Sequence, residues 1–148
     1  MTIQDFKNKN EIYKETLNYS FGEIIKVLNK VKMNDNKQSY LFNLTETLIR
    51  FLEKQDEILF FLLSSKGTCF LDNDLELHSL MGNFKKIFLN NKFNVENEEK
   101  MMLRLRMLLG SVFEVLYANK ILKERNLTHE EINEINTLFW GNNIYTLN

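Results

Sequence analysis

Residues 98–122 constrain the fold more than any other stretch, because apolar side chains recur there at helical spacing for longer than anywhere else. Met102, Leu105, Leu109, Val112 and Leu116 step by threes and fours, and Met101, Leu108, Phe113, Val115 and Tyr117 widen that stripe around most of the helix. A helix that is apolar nearly all round must be covered on several sides. Some 25 residues at roughly 1.5 Å each make a rod of about 37 Å, longer than the core of so small a domain requires. One side is therefore expected to face a second subunit. Asn94, Glu96, Glu98 and Glu99 suit the start of this helix, and Lys120, Lys123 and Arg125 suit its end. Gly110 interrupts it at a cost of up to about 1 kcal/mol relative to alanine. Either a close helix crossing or a neutral substitution accounts for the glycine.

Nothing in the composition opposes long helices, since proline is absent from all 148 residues. A chain of this length holds one domain with a real core, and 44% hydrophobic against 26% charged residues is a globular balance. The formal net charge of -1 supplies no positive field to draw the chain to nucleic acid or an anionic membrane. No apolar run approaches the roughly 18 residues of a membrane span, and no signal peptide is evident. A cytoplasmic protein is expected. The single cysteine, Cys69, excludes an internal disulfide and any multi-cysteine metal site.

Along the chain, Tyr13, Leu17, Phe21, Ile24, Leu28 and Val31 form one helical face, which predicts a helix over 10–31. Residues 33–37 are polar and form a connector. A second helix is expected over 38–54, with Leu41, Leu44, Leu48 and Phe51 inward. A short one follows over 57–65, capped by Asp56 and ended by Gly67. Leu77, Leu80, Met81, Phe84, Ile87 and Phe88 predict another over 74–90. After the long helix, Thr128 and Glu131 fit a capping box, and Ile132, Ile135, Leu138 and Phe139 carry the last helix to about Trp140. Residues 142–148 are expected to form a loose tail. No period-two alternation, hairpin signal or internal repeat is present, so the fold class is all-α, a bundle of about six helices.

Catalytic chemistry finds few candidates. His78 and His129 are isolated, and no phosphate-binding glycine loop, H-E-x-x-H or G-x-S-x-G occurs. No cofactor or metal is expected, and the chain is not expected to be an enzyme. His129 belongs to a helix cap and should be solvated, whereas His78 lies either at a boundary or toward a cavity. Phe and Met on inward faces suit an adaptable apolar cavity or a plain core. Arg104, Arg106 and Glu114, set within the long apolar helix, either snorkel to a solvated strip or contact a ligand.

The segment Phe6-Lys7-Asn8-Lys9-Asn10-Glu11-Ile12-Tyr13 resembles the F-K-[SN]-K-x-E-[LI]-[YF] signature that joins the helix-turn-helix of TetR-family transcriptional regulators to their regulatory domain. The far end is similar too: Leu109-Gly110 in a long apolar helix, then Leu127-Thr128-x-Glu130-Glu131-Ile132, then Phe139-Trp140-Gly141. The family's helix-turn-helix precedes the signature and has no counterpart here. The resemblance implies that residues 1–9 are the remnant of that junction and 10–141 an effector-binding and dimerisation domain. It implies a homodimer joined through Val112, Val115, Leu116, Asn119, Ile132, Ile135, Asn136 and Phe139. It also implies a small apolar or amphipathic effector held near Phe21, Leu44, Leu48, Phe61, His78, Met81, Phe84, Arg106 and Phe113, with DNA reached only through a helix-turn-helix not present in this chain. The competing expectation is a stand-alone helical interaction module with no effector.

Overall fold

A computed structural model of the chain describes residues 3–33, 35–65, 86–87 and 98–141. Among these every regular element is helical: α1 (Ile3–Leu28), α2 (Lys37–Lys54), α3 (Asp56–Ser65), α4 (Glu98–Leu116) and α5 (His129–Asn136). The last two continue without a break into stretches of π-helix, Tyr117–Leu122 and Thr137–Gly141. The all-α expectation is met. Of the helix expected over 74–90 only Lys86 and Ile87 lie within the described residues; both are helical, and Ile87 is buried. Gly67, Cys69 and the 142–148 tail lie outside them. No helix among the described residues is long and apolar enough to cross a membrane.

Helix α1 begins at Ile3, well before the expected start, because residues 3–9 contain no breaker although apolar periodicity sets in only at Tyr13. Its buried face is Leu17, Phe21, Ile24 and Leu28. It ends in tightened turns, with the Lys30 and Val31 N–H groups donating to the Val27 and Leu28 carbonyls. Val31 lies beyond the helix yet still packs on the core.

Helix α2 starts from Asn36, whose side chain accepts from the Ser39 N–H at 3.1 Å. Gln55 alone separates α2 from α3. Its N–H closes onto the Phe51 carbonyl, and its own carbonyl accepts from Leu59, so Gln55 holds the junction that the sequence assigned to Asp56. Asp56 instead adds first-turn negative charge beside Glu57.

Among the described residues the hub of the bundle is α2 and not the long C-terminal stretch. Helix α2 packs on α1, α3, α4 and α5, and it buries Tyr40, Leu41, Leu44, Leu48, Ile49 and Leu52. Each such side chain contributes about 1.5–3 kcal/mol relative to exposure. The core is continuous from α1 through α2 to α4 and the last helix, where Phe139 and Trp140 complete it. Burial of the Tyr40 phenol raises its pKa.

Candidate interaction surface

Two polar clasps hold the C-terminal elements on α2, and together they decide which surfaces are left open. At one end of α2 the Glu53 carboxylate is buried, accepting the Leu127 N–H at 2.6 Å and an Arg50 guanidinium N–H at 2.8 Å. The same guanidinium nitrogen donates to the Leu127 carbonyl at 2.8 Å, so both polar backbone groups of Leu127 are held. At the other end, Gln38 Nε2 donates to the Gly141 carbonyl at 2.9 Å and closes the last turn of α5. Between the clasps, Trp140 Nε1 donates to Thr45 Oγ1 at 3.0 Å, and Asn136 Nδ2 donates to the Phe42 carbonyl at 3.3 Å.

The loop between α4 and α5 is fixed by its own chemistry. Thr128 Oγ1 accepts the Glu131 N–H, and the Glu131 carboxylate accepts the Thr128 N–H, which is the expected capping box. Arg125 adds a two-pronged ion pair to Glu131 at 2.8 and 3.0 Å. The Arg125 guanidinium, with help from the Thr128 backbone, pulls the Glu131 carboxyl down to about 2. Glu124, at φ 52°, takes the left-handed turn that ends the helix, and the Arg125 N–H then reaches the Asn119 carbonyl. Within the π stretch, Asn119 Nδ2 donates to the Val115 carbonyl, the group an α-helix would give to the Asn119 N–H.

Clamped in this way, α4 turns one face inward and the other outward. Leu105, Leu108, Leu109, Val112 and Leu116 are buried. On the opposite side Leu103 is 59%, Met107 56% and Tyr117 42% exposed, with Arg106, Gly110 and Glu114 exposed among them. Gly110 lies at the centre of this outer face, and a Cβ added there would meet nothing within 4 Å. Among the described residues no helix crossing therefore requires the glycine. Beside the outer face, Phe60, Leu63 and Ser64 of α3 and Glu114, Tyr117 and Ile121 line an open groove of about 400 Å³.

Most of the residues expected to face a partner are enclosed within one chain. Val112 and Leu116 are 0% and Ile132 1% exposed, while Asn119, Asn136 and Phe139 are also buried. Val115 and Ile135 are half-buried against the same core. Within the single chain the most apolar side of α4 goes to its own core, and its outer side is the exposed one.

The expected cavity residues separate. Phe21, Leu44 and Leu48 are buried in the core; Phe61 and Phe113 are half-buried beside it, with the Phe61 ring 5.1 Å from that of Tyr13. Arg106 stands on the outer face of α4, so it does not join them. His78, Met81 and Phe84 lie outside the described residues. His129 is solvated, 3.6 Å from Glu46. Among the described residues no three His, Cys, Asp or Glu side chains gather to hold a metal ion. The sequence reading missed the buried Glu53; its one signal was a charge beside Leu52 on an otherwise inward face.

No family model, curated protein or solved structure matches the chain.

Proposed function

We propose that the chain is a dimerising, effector-responsive domain of the kind found in TetR-like transcriptional regulators, pairing with a second copy of itself. The observation that carries this reading is the doubly apolar α4, which fills the core with one face and still presents Leu103, Met107 and Tyr117 to solvent. Exposed apolar surface of this kind on a well-packed bundle marks an interaction site. The resemblance at Phe6–Tyr13 adds a role for α1: those residues lie within one uninterrupted helix whose other end is anchored in the core, so a shift in the bundle is passed along it. The reading assigns no DNA contact to these residues.

A second reading, an interaction module without an effector, is favoured by the tight burial of Phe21, Leu44 and Leu48, which is how plain core behaves. Thermal-shift screening of the whole chain with apolar and amphipathic compounds separates the two. A binder at about 100 times its dissociation constant adds about 2.7 kcal/mol of stability, so a concentration-dependent rise in Tm supports the effector-responsive domain. A chain that pairs but shows no such rise with any compound supports the second reading.

A further inference from the structure

We infer that the groove along the outer side of α2 is a binding site for a small carboxylate with an apolar body. The inference goes beyond the reading above. This groove is separate from the sealed core around Phe21, Leu44 and Leu48, and it asks nothing of a second copy.

The site begins with Arg50. Its Nη1 carries two hydrogens, and both are committed inside the chain, one to Glu53 Oε1 and one to the Leu127 carbonyl, each at 2.8 Å. The guanidinium plane is thereby fixed before any ligand arrives, which lowers the cost of ordering it on binding. Its other edge, Nε–H beside Nη2–H, has no partner among the described residues, and the side chain stays one-third exposed where it lines the groove. Two parallel donors on one planar edge match the two oxygens of a carboxylate. The charge of Arg50 is already balanced by the buried Glu53, so an anion needs a second cation. Lys54 supplies it: one helical turn further on, it lines the same groove, exposed and without a partner among the described residues. Thr47, three residues before Arg50, adds a hydroxyl that is likewise uncommitted.

The remaining walls set the character of the ligand. Phe51 of α2 and Val27 of α1, both half-buried, give the groove an apolar side, and its volume of about 460 Å³ admits a body of several carbons. Glu46, one turn before Arg50, lines the groove as well and stands 3.6 Å from His129. Charge along this face of α2 thus runs from negative at Glu46 to positive at Lys54. A carboxylate lies between Arg50 and Lys54, away from Glu46, and a doubly charged anion is repelled more strongly than a singly charged one. The same guanidinium that takes the carboxylate also holds Leu127, so an occupied groove reinforces the clasp between α2 and the loop before α5.

The test is titration of the whole chain with hexanoate, followed by the Arg50 Nε–H resonance in a nitrogen-resolved NMR spectrum and by Tm. A saturable shift of that resonance and a concentration-dependent rise in Tm are expected. Hexylamine and hexanamide should leave both unchanged. Acetate, which lacks the apolar body, and inorganic phosphate, which carries more charge, should each bind about tenfold more weakly than hexanoate. Lys54→Glu should weaken hexanoate about tenfold or more and Glu46→Gln strengthen it about threefold, while Arg50→Lys, which keeps the charge but loses the fork, should abolish the rise in Tm. Far-UV circular dichroism checks that each variant stays folded, and Lys54, exposed and uncommitted, can be changed without touching the clasp. Hexanoate that leaves the Arg50 resonance unmoved, hexylamine that binds as well, or Glu46→Gln that weakens binding would overturn the site. A rise in Tm that Lys54→Glu does not diminish would place the ligand elsewhere, overturning the groove while leaving the effector-responsive reading standing.

Discussion

The seam between α2 and α5 and the outer face of α4 are both rich in apolar side chains, but they are finished differently. Along the seam, polar groups close what the apolar ones begin: Trp140 Nε1 is taken up by Thr45, the last turn by Gln38, and the Leu127 backbone by Arg50 and Glu53. Thr45 in turn donates to the Leu41 carbonyl, so even the acceptor is tied back to its own helix. The outer face of α4 instead presents Leu103, Met107 and Tyr117 to solvent with charged side chains between them. The contrast separates surface that holds one chain together from surface suited to joining two. Changes at the seam should act on folding, and changes on the outer face on association.

The largest effect should come from Trp140→Ala. It empties the end of the core and removes the donor to Thr45 Oγ1, so urea denaturation is expected to show a loss of about 3–5 kcal/mol. Glu53→Ala follows. It leaves the Leu127 N–H buried without its acceptor and frees one end of Arg50, for an expected loss of about 1–3 kcal/mol by the same measurement. If either variant kept full stability but lost pairing, the division between seam and outer face would be wrong.

Smaller changes sharpen the boundary at the loop between them. Glu124→Gly relieves a left-handed residue that carries a side chain and should raise stability by up to about 1 kcal/mol, read as a higher urea midpoint. The Arg125–Glu131 pair gives a pH signature. Because the Glu131 pKa is lowered on folding, its contribution is full above the ordinary carboxyl value of 4.5 and is lost as pH falls toward about 2. The stability advantage of wild type over Glu131→Gln should therefore be largest at neutral pH and shrink through that window. The effect is expected to be the smallest of the set, since both side chains are substantially exposed.

Much of this architecture was legible from spacing alone. Three- and four-residue steps located the inward faces of α1, α2 and α4, and Thr128 with Glu131 located the start of α5 to the residue. Other features depend on what packs against what. Residues 3–9 carry no apolar stripe, so nothing marked them as helix. The widening to π-helix at Tyr117 and Thr137 leaves no trace in residue type. In α4 the same stripe was assigned both to the core and to a partner. A sequence apolar on nearly every side cannot say which face is enclosed, and burial settles it in favour of Leu105, Leu109, Val112 and Leu116. For the proposed effector pocket the sequence named residues of suitable chemistry. It could not foresee that Arg106 would stand outside while Phe21, Leu44 and Leu48 stood inside, because that depends on how α4 is rotated about its axis.

The claim at the centre of this account is that the outer face of α4 joins two copies of the chain. Sedimentation equilibrium of wild type beside the Leu103→Gln, Met107→Gln double variant tests it most directly, since both side chains are exposed and their replacement should leave folding within about 0.5 kcal/mol. The account predicts a wild-type species of twice the 17.7 kDa chain mass and a folded, single-chain variant. A wild-type chain that sediments alone, or a variant that pairs as tightly as wild type, would contradict it.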